Sequence, residues 1–200
     1  MDDLRTKYER KFNSPQAKVK TNEFWNRYFI KKEDFPYKRI LYATKSLYGK
    51  ILDVGSADGF GAFIMSQNKN IKSIVCLEVQ YKAIEKAKRN LQGIKNVVIV
   101  KGIAENIPFL DNAFDCLHCG ATLEHVFNDK KAISEMARVV KDLAAISVPI
   151  GGGTSLEHIR EYKKVADFKE LVNGYFNIVR EKILLKNNGR KVLVLLCKKI

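Results

Sequence analysis

Short apolar runs alternate with amphipathic segments from residue 50 onward, and this alternation constrains the fold more than any other feature of the sequence. The apolar runs cover residues 51–54, 73–77, 97–100, 114–119 and 143–148. Helical spacing of apolar residues lies between several of them, near 60–68, 80–91 and 129–141. Apolar runs of this length, separated by helices, predict a parallel sheet with helices on both faces. The sequence therefore predicts an α/β, doubly wound fold.

The end of the chain follows a different pattern. A helical stretch near 162–173 leads to two apolar segments, 178–185 and 192–197, and residues 187–189 between them read Asn-Asn-Gly. Asn and Gly are residues that tight hairpin turns prefer. We therefore expect a Rossmann-like sheet of seven strands, mostly parallel, with a C-terminal antiparallel hairpin.

The beginning of the chain predicts two short helices. Aromatic and apolar residues, including Trp25, Tyr28 and Phe29, recur at helical spacing over residues 22–48, and Pro36 interrupts them. We assign residues 1–48 to a helical extension and 49–200 to a ligand-binding domain, within one domain overall. The aromatic residues either form a lid over a substrate or are packing residues, and both interpretations stay open.

Residues 51–61 read ILDVGSADGFG, a buried strand followed by a glycine-rich turn into a helix. Glycines at such a turn let the backbone approach a ligand closely. A dinucleotide fingerprint G-x-G-x-x-G beginning at Gly55 needs glycine at position 57 and at or near 60, where this chain has Ala57 and Phe60. The spacing therefore disfavours a nicotinamide-dependent oxidoreductase.

The spacing D-x-G-x-x-x-G-x-G instead resembles the first motif of class I S-adenosylmethionine-dependent methyltransferases. The resemblance implies that the loop holds the methionine part of S-adenosylmethionine, which becomes S-adenosylhomocysteine after transfer. The residues it assigns there are Asp53, Gly55, Ser56, Ala57, Gly59 and Gly61. Glu78 ends the next predicted strand, where a carboxylate can accept hydrogen bonds from both ribose hydroxyls, and Val79 follows it.

A second resemblance lies in residues 102–126, which read GIAENIPFLDNAFDCLHCGATLEHV. They look like GDAExLPFxDxxFDxVxxxxxLEHV, a stretch common in one large branch of the same family. The resemblance implies that Ile103, Ala104 and Glu105 border the adenine, and that Cys119 and Gly120 border the methionine. Ile103 replaces the usual Asp, which removes a side-chain contact to the adenine amine.

The family's Pro-Gly-Gly turn before the fifth strand is shortened here, because residues 138–149 read RVVKDLAAISVP. We expect the change to alter a loop away from the cofactor.

Histidines are the candidate catalytic residues. A methyl group on a sulfonium is already activated, so the protein mainly aligns the acceptor, and a base helps if the acceptor is a hydroxyl or an amine. His158, after the fifth predicted strand, is the preferred base, and His125, after the fourth, is the second candidate. His118 lies inside a predicted strand and is expected to be a hydrogen-bonded core residue.

A metal site is the alternative use of these histidines. Small-RNA 2′-O-methyltransferases and some quinone-precursor O-methyltransferases bind a divalent cation through E-x-x-E-H after strand four. Here Ala121 replaces the first Glu, which leaves Glu124, His125 and His158 as three matching ligands. Because Mg²⁺ prefers oxygen ligands, the loss of this carboxylate should weaken the binding of Mg²⁺ more than that of other divalent cations. We predict a site without metal and keep the three-ligand site as the alternative.

The formal net charge of +14 is concentrated at the two ends of the chain. Residues 1–50 contain 13 Lys and Arg against 6 Asp and Glu, and residues 180–200 contain 7 against 1. A basic periphery favours an anionic small molecule, a lipid headgroup or nucleic acid as partner, although a solvated surface explains it equally well.

Four scattered cysteines are too few for a disulfide framework, and no apolar run approaches the roughly 20 residues of a membrane span. We therefore expect a cytoplasmic protein. Cys116 and Cys119 have CxxC spacing, but they fall in a predicted strand, where residues three apart point to opposite faces. We interpret them as core residues.

The function that the resemblance implies is methyl transfer to an O or N atom, less readily C, of a small metabolite, sugar or lipid precursor, which the charge suggests is anionic. An RNA methyltransferase that uses the basic ends is the first alternative. A protein that binds S-adenosylmethionine without catalysis is the second.

Overall fold

The computed structural model describes residues 35–151, 158–186 and 188–200 of the chain. Its elements, in chain order, are α1 (Phe35–Thr44), β1 (Gly49–Val54), α2 (Phe60–Ser66), β2 (Ile71–Glu78), α3 (Tyr81–Asn90), β3 (Val97–Lys101), β4 (Phe114–Gly120), a 3₁₀ turn (Leu123–His125), α4 (Asp129–Val139), β5 (Val140–Ile150), α5 (Val165–Asn173), β6 (Phe176–Leu185) and β7 (Lys191–Lys199).

The seven strands form one sheet in the order β3-β2-β1-β4-β5-β7-β6. The pairs among β1, β2, β3, β4 and β5 are parallel, whereas β7 is antiparallel to both β5 and β6. This arrangement confirms the predicted Rossmann-like fold and its terminal hairpin. Strand β1 lies between β2 and β4, so the direction of winding reverses there. In open α/β sheets, the crevice at the carboxyl ends of the strands beside such a reversal is where ligands bind.

Apolar side chains pack on both faces of the sheet. On one face, Leu52 and Val54 of β1 pack in a cluster with residues of α4 and α5. On the other, Ile51 packs with residues of α1 and α2. Cys119 belongs to the first cluster and Cys116 to the second, and all four cysteines are free and buried. The two CxxC cysteines therefore lie on opposite faces, as predicted.

Pro36 lies in the first turn of α1. Proline suits this position because the first helical N–H groups have no partner within the helix. Ile40, Ala43 and Leu47 are buried in the same cluster as Ile51, so the described part of the N-terminal segment belongs to the core. Residues 1–34, which include the predicted aromatic lid, lie outside the described residues. The boundary at residue 48 stays a prediction.

Helix α4 passes into β5 without an intervening loop, because the helix ends at Val139 and the strand begins at Val140. The helix predicted at 129–141 was therefore two residues too long, and the strand predicted at 143–148 began three residues too late. Val140 pairs with Phe114 at the amino ends of the parallel strands, and its carbonyl accepts a hydrogen bond from Lys199 Nζ at 2.9 Å. The missing Pro-Gly-Gly turn therefore changes the edge of the sheet opposite the predicted cofactor site, as expected.

Within the described residues, no helix has the length and apolar character needed to cross a membrane.

Candidate functional site

The glycine-rich loop after β1 lies across the end of β2. The backbone N–H groups of Gly55 and Ser56 both donate to the carbonyl of Leu77, at 2.8 and 3.2 Å. Gly55 has a φ of +70°, and a Cβ there would come within 2.3 Å of the hydroxyl of Thr122. Both the backbone conformation and the close approach of Thr122 therefore require glycine at this position.

Ala57, in the same loop, has a φ of 49°, in the left-handed region that L residues seldom adopt. Gly59 also has a positive φ, and it is the N-cap residue of α2. Such backbone conformations cost energy and concentrate at ligand sites.

Glu78 fastens this loop to the end of β2. Its carboxylate accepts three backbone hydrogen bonds, from Ala57 to Oε2 and from Val79 and Gln80 to Oε1, each at 2.9 Å. Burial raises the pKa of Glu78 above its usual value, and the three backbone donors oppose that rise. The carboxylate is thus held in one orientation, and each oxygen has a second lone pair with which to accept a further hydrogen bond.

Two apolar side chains, Val79 and Ile103, are exposed near the carboxyl ends of β2 and β3, at 45% and 44% of their surface. Ala104, which follows Ile103 in the chain, is buried at 7% and belongs to the core. The side chain of Glu105 binds the loop after β4. Its Oε1 accepts hydrogen bonds from the backbone N–H groups of Phe127 and Asn128. The structure thus offers apolar surface for a flat ring at this edge, and it assigns the Glu105 side chain to the loop after β4.

Asp53 and His118 are register partners on β1 and β4, and their side chains form a buried pair in which His118 Nδ1 lies 2.7 Å from Asp53 Oδ1. A Cβ at Gly61 would lie 3.2 Å from Asp53 Oδ2, and one at Gly120 would lie 2.9 Å from His118 Nε2. Small residues at 61 and 120 therefore leave room for the pair.

Among the described residues, neither Asp53 Oδ2 nor His118 Nε2 has a hydrogen-bonding partner. His118 is thus a core histidine that is only half satisfied, against the expectation of full hydrogen bonding. Cys119, the next residue, is fully buried, and burial raises the pKa of its thiol, which makes it a packing residue.

The loops that follow β4 and β5 are joined by a hydrogen-bond network. Arg160 binds the carboxylate of Asp129 at 2.9 Å and the carbonyl of Phe127 at 2.8 Å. The hydroxyl of Tyr162 donates to the same carboxylate at 3.1 Å. Burial and the nearby Asp129 raise the pKa of Tyr162 well above its usual value, so it remains a hydrogen-bond donor. The backbone N–H of Ile159 also donates to the carbonyl of Glu124, at 2.9 Å.

This network brings together the two histidines that were predicted as catalytic. The rings of His125 and His158 meet edge to face, with centroids 4.9 Å apart. Glu124 is beside them, and one potential ligand atom from each of the three residues lies within 4.8 Å of the other two. The structure therefore assembles both the candidate bases and the alternative metal ligands at the carboxyl ends of β4 and β5.

Thr122, Arg160 and Tyr162 were missed as site residues by the sequence reasoning. Arg160 and Tyr162 lie in the segment HIREY, whose mixture of charge and aromaticity gives no signal of which carboxylate they bind. Thr122 donates a hydrogen bond to the carbonyl of Val54 at 3.3 Å, a contact that depends on the pairing of β1 with β4.

Residues 52–147 match the model of a protein family described as a methyltransferase domain. The matched segment runs from β1 to the carboxyl end of β5, so it contains the glycine loop, Glu78 and the loop that carries His125.

Two curated relatives illustrate the similarity. The uncharacterized methyltransferase YcgJ of Bacillus subtilis is 31% identical over 94 residues, which cover 46% of this chain and 36% of that protein. The ubiquinone/menaquinone biosynthesis C-methyltransferase UbiE of Haemophilus ducreyi is 31% identical over 96 residues, which cover 46% of this chain and 37% of that one. The aligned regions thus span little more than a third of the curated relatives' length.

Solved structures show the same fold. The structure of YcgJ from Bacillus subtilis superimposes with a TM-score of 0.69 at 17% identity, over 82% of this chain and 98% of that one. The cyclase SpnF superimposes with a TM-score of 0.71 at 17% identity, over 82% of this chain and 79% of that one.

The strand order and the terminal antiparallel pair define a Rossmann-like fold. On this fold, residues 52–147, just under half of the chain, match a methyltransferase-domain family.

Proposed function

We propose that this protein transfers a methyl group from S-adenosylmethionine to a small metabolite, with His158 or His125 as the base where the acceptor must lose a proton. The observation that carries the proposal is the hydrogen bond from Ala57 N–H to Glu78 Oε2, at 2.9 Å. It joins the glycine loop to the acid at the end of β2, the two parts that this family uses for the cofactor.

The residues at the sheet edge fit S-adenosylmethionine. Glu78, which the Ala57 N–H joins to the glycine loop, has lone pairs for the ribose hydroxyls, and Val79 and Ile103 offer apolar surface for the adenine. Asp53, Gly55 and Gly120 are expected near the amino-acid part. When bound, the cofactor supplies a methyl group on a positively charged sulfur, which is activated for displacement.

The acceptor is expected to reach the site between the loops after β4 and β5, where His125 and His158 meet. A neutral imidazole there can accept the proton of a hydroxyl or an amine. Removing a phenolic proton also makes the adjacent ring carbon nucleophilic, so the same base serves C-methylation. Because UbiE is named a C-methyltransferase, a carbon acceptor stands beside oxygen and nitrogen in this proposal.

An RNA methyltransferase is the second candidate, and one observation favours it. The side chains of Lys45, Arg180 and Lys182 surround the ring of Tyr42, at 5.0, 5.4 and 5.0 Å from its centroid. Among the described residues, one cation of the basic N-terminal segment and two of the basic C-terminal segment therefore lie around the same ring. If this surface binds single-stranded RNA, the logarithm of the association constant should fall linearly with the logarithm of the salt concentration. The slope should be about −0.7 for each phosphate contacted.

A protein that binds the cofactor without transferring its methyl group is the third candidate. SpnF, which has a similar fold, is described as a cyclase, so the fold alone does not set the reaction. The proposed cytoplasmic location stays a prediction.

The test is calorimetric titration with S-adenosylhomocysteine and, in parallel, NADH, followed by an acceptor screen that measures S-adenosylhomocysteine release. We expect micromolar binding of S-adenosylhomocysteine alone and turnover with a small-molecule acceptor. Turnover only with RNA, or binding without turnover on any acceptor class, would select the second or the third candidate. Preference for NADH would reject all three.

A further inference from the structure

Cations of strand β6 lie along helix α1 at one edge of the sheet. Strand β6 is last in the strand order, so its outer side pairs with no other strand of the described residues. Near the end of α1, Arg180 donates a hydrogen bond to Ser46 Oγ at 3.0 Å. At the beginning of α1, Lys186 lies over the ring of Phe35, 5.4 Å from its centroid. We call the exposed side chains of α1 and β6 together the basic edge.

The basic edge has little negative charge to balance its cations. Residues 35–52, which contain α1, include four Lys and Arg and no Asp or Glu. The acid of β6, Glu181, points to the other face of the strand, where it pairs with Lys169 of α5 at 2.6 Å. Within the described ranges, Lys45, Arg180 and Lys182 form no ion pair. Cations without nearby acids create a positive potential that attracts an anionic partner.

Aliphatic side chains are exposed beside these cations. On α1, Leu41 is 46% exposed, and its spacing places it on the same helix face as the exposed Lys38 and Lys45. On β6, three aliphatic side chains are exposed at 59%, 46% and 65%, namely Val179, Ile183 and Leu185. Exposed apolar residues that are grouped and rimmed by polar ones mark an interaction surface.

This combination of side chains fits the surface of a bilayer that contains anionic lipid. Lysine and arginine side chains near such a surface are attracted to its negative potential, and a cluster of four to eight of them is typical of proteins that bind it. Aliphatic side chains beside the cations can enter the boundary between the headgroups and the acyl chains. The basic edge supplies both kinds of side chain.

Two other partners fit the basic edge less well. Single-stranded nucleic acid binds cations and also stacks its bases on aromatic rings, whereas the four large apolar side chains exposed on α1 and β6 are all aliphatic. A second copy of this chain could add its own β6 to the open side of the sheet. Antiparallel pairing of the two strands would set Arg180 and Lys182 against the same cations of the copy, and such charges oppose pairing of edge strands.

We propose that the basic edge docks this protein on an anionic lipid bilayer, with the cations at the headgroups and the aliphatic side chains in the boundary below them. This inference is independent of the proposed function, because it needs neither the cofactor nor an acceptor.

The test is cosedimentation of the full chain with vesicles of phosphatidylcholine alone and of an equal mixture of phosphatidylcholine and phosphatidylglycerol. We expect binding to the mixed vesicles only, and weaker binding at high salt. Lys45→Gln/Lys182→Gln should bind them roughly 30-fold more weakly, from about fivefold for each cation removed. The matched control is Lys88→Gln/Lys95→Gln, which removes two exposed lysines near the opposite, β3 edge and should bind as the wild type does.

A second pair of variants tests the aliphatic side chains. Leu185→Ser should weaken binding to the mixed vesicles by roughly tenfold, because it removes apolar surface that enters the bilayer. Leu110→Ser is the control, since Leu110 is 83% exposed in the loop between β3 and β4 and should not matter for binding. All the substituted side chains are exposed, so every variant should unfold at the temperature of the wild type.

Failure of the wild type to bind the mixed vesicles, or equal binding to both kinds of vesicle, would overturn the proposal. Equal weakening by the two lysine pairs would do the same, because only the net charge would then matter. Tighter binding of polyuridylate that Lys45→Gln/Lys182→Gln weakens and Leu185→Ser does not would assign the basic edge to RNA. A dimer in solution that Leu185→Ser dissociates, without vesicle binding, would assign it to a second copy.

Discussion

The rings of His125 and His158 meet edge to face with centroids 4.9 Å apart, although 33 positions separate them in the sequence. Arg160 and Tyr162, both bound to Asp129, hold the loop that carries His158 against the loop that carries His125. The arrangement places two imidazoles in contact at the carboxyl ends of β4 and β5, and this contact is the basis of the first two predictions.

Replacing His158 with Asn should lower kcat by about 100-fold or more, the usual contribution of a general base, because Asn cannot take up the proton. The S-adenosylhomocysteine affinity should not change. His125→Asn should lower kcat less. Steady-state kinetics with the acceptor found in the screen, beside calorimetry, measures both quantities. Full activity in both variants would show that the acceptor needs no base from the protein.

Dialysis against EDTA should leave activity unchanged. Two of the three potential ligands are imidazoles, Ala121 stands where related metal sites have Glu, and the positive charge of Arg39 acts on Glu124. These features disfavour Mg²⁺, which prefers oxygen ligands. Inactivation by EDTA that a divalent cation reverses, and that Glu124→Gln abolishes, would establish the three-ligand metal site.

Glu78→Ala should weaken S-adenosylhomocysteine binding by roughly 10- to 100-fold, because hydrogen bonds to a charged group contribute about 1.5–3 kcal/mol. It should also lower the unfolding temperature, since three backbone N–H groups lose their acceptor. Calorimetry and thermal unfolding measure the two effects. Glu85→Ala, an exposed acid on α3, is the matched control and should bind as the wild type does. Equal affinities for the two variants would remove Glu78 from the cofactor site.

Gly55→Ala should destabilise the protein by about 3 kcal/mol or more, the combined cost of a left-handed alanine and of overpacking against Thr122. Gly93→Ala is the matched control, because Gly93 has a φ of +85° but no atom within 4 Å of the added Cβ. The Gly93→Ala variant should lose only about 1 kcal/mol of its free energy of unfolding. Urea unfolding gives both values. Equal losses would mean that Thr122 moves aside at no cost.

Glu135→Gln should destabilise the protein at neutral pH by roughly 1.5–3 kcal/mol, because the charged carboxylate accepts hydrogen bonds from Arg138 and from the backbone of Ile107. The bonds from Arg138 have the largest effect and lower the pKa of Glu135 from 4.5 to about 2. Its stabilising effect is therefore fully present above pH 4.5 and is lost as the pH falls from 4.5 toward 2.

The variant should accordingly lose less stability than the wild type over that acid range, as urea unfolding at several pH values would show. Glu181→Gln, whose exposed carboxylate pairs with Lys169, is the control and should cost less than 1 kcal/mol. The same acid dependence in the wild type and in Glu135→Gln would assign that dependence to other carboxylates.

The sequence alone determined the class of fold and the place of the glycine-rich loop after β1. Alternation of apolar runs and helices is a local property, and so is the spacing of Gly55, Gly59 and Gly61 after a strand. The hairpin of β6 and β7 was equally readable, since Asn and Gly suit its turn. The main local error concerned α4 and β5, where helical spacing continued past Val139 although pairing of Val140 with Phe114 begins the strand there.

Only the tertiary structure decided which side chains act together. The contact of His125 with His158 depends on bonds that Arg160 and Tyr162 make to a carboxylate some 30 residues earlier, and no local pattern specifies that choice. Glu105 was predicted from its position to border the adenine, and only the structure shows that its carboxylate accepts a hydrogen bond from the loop after β4. Arg39 lies in an ordinary basic stretch of sequence. The burial of its Nε without a hydrogen-bonding partner among the described residues follows from the packing of α1 in the core, because desolvation of a polar group is set by the whole fold and not by its neighbours in the chain.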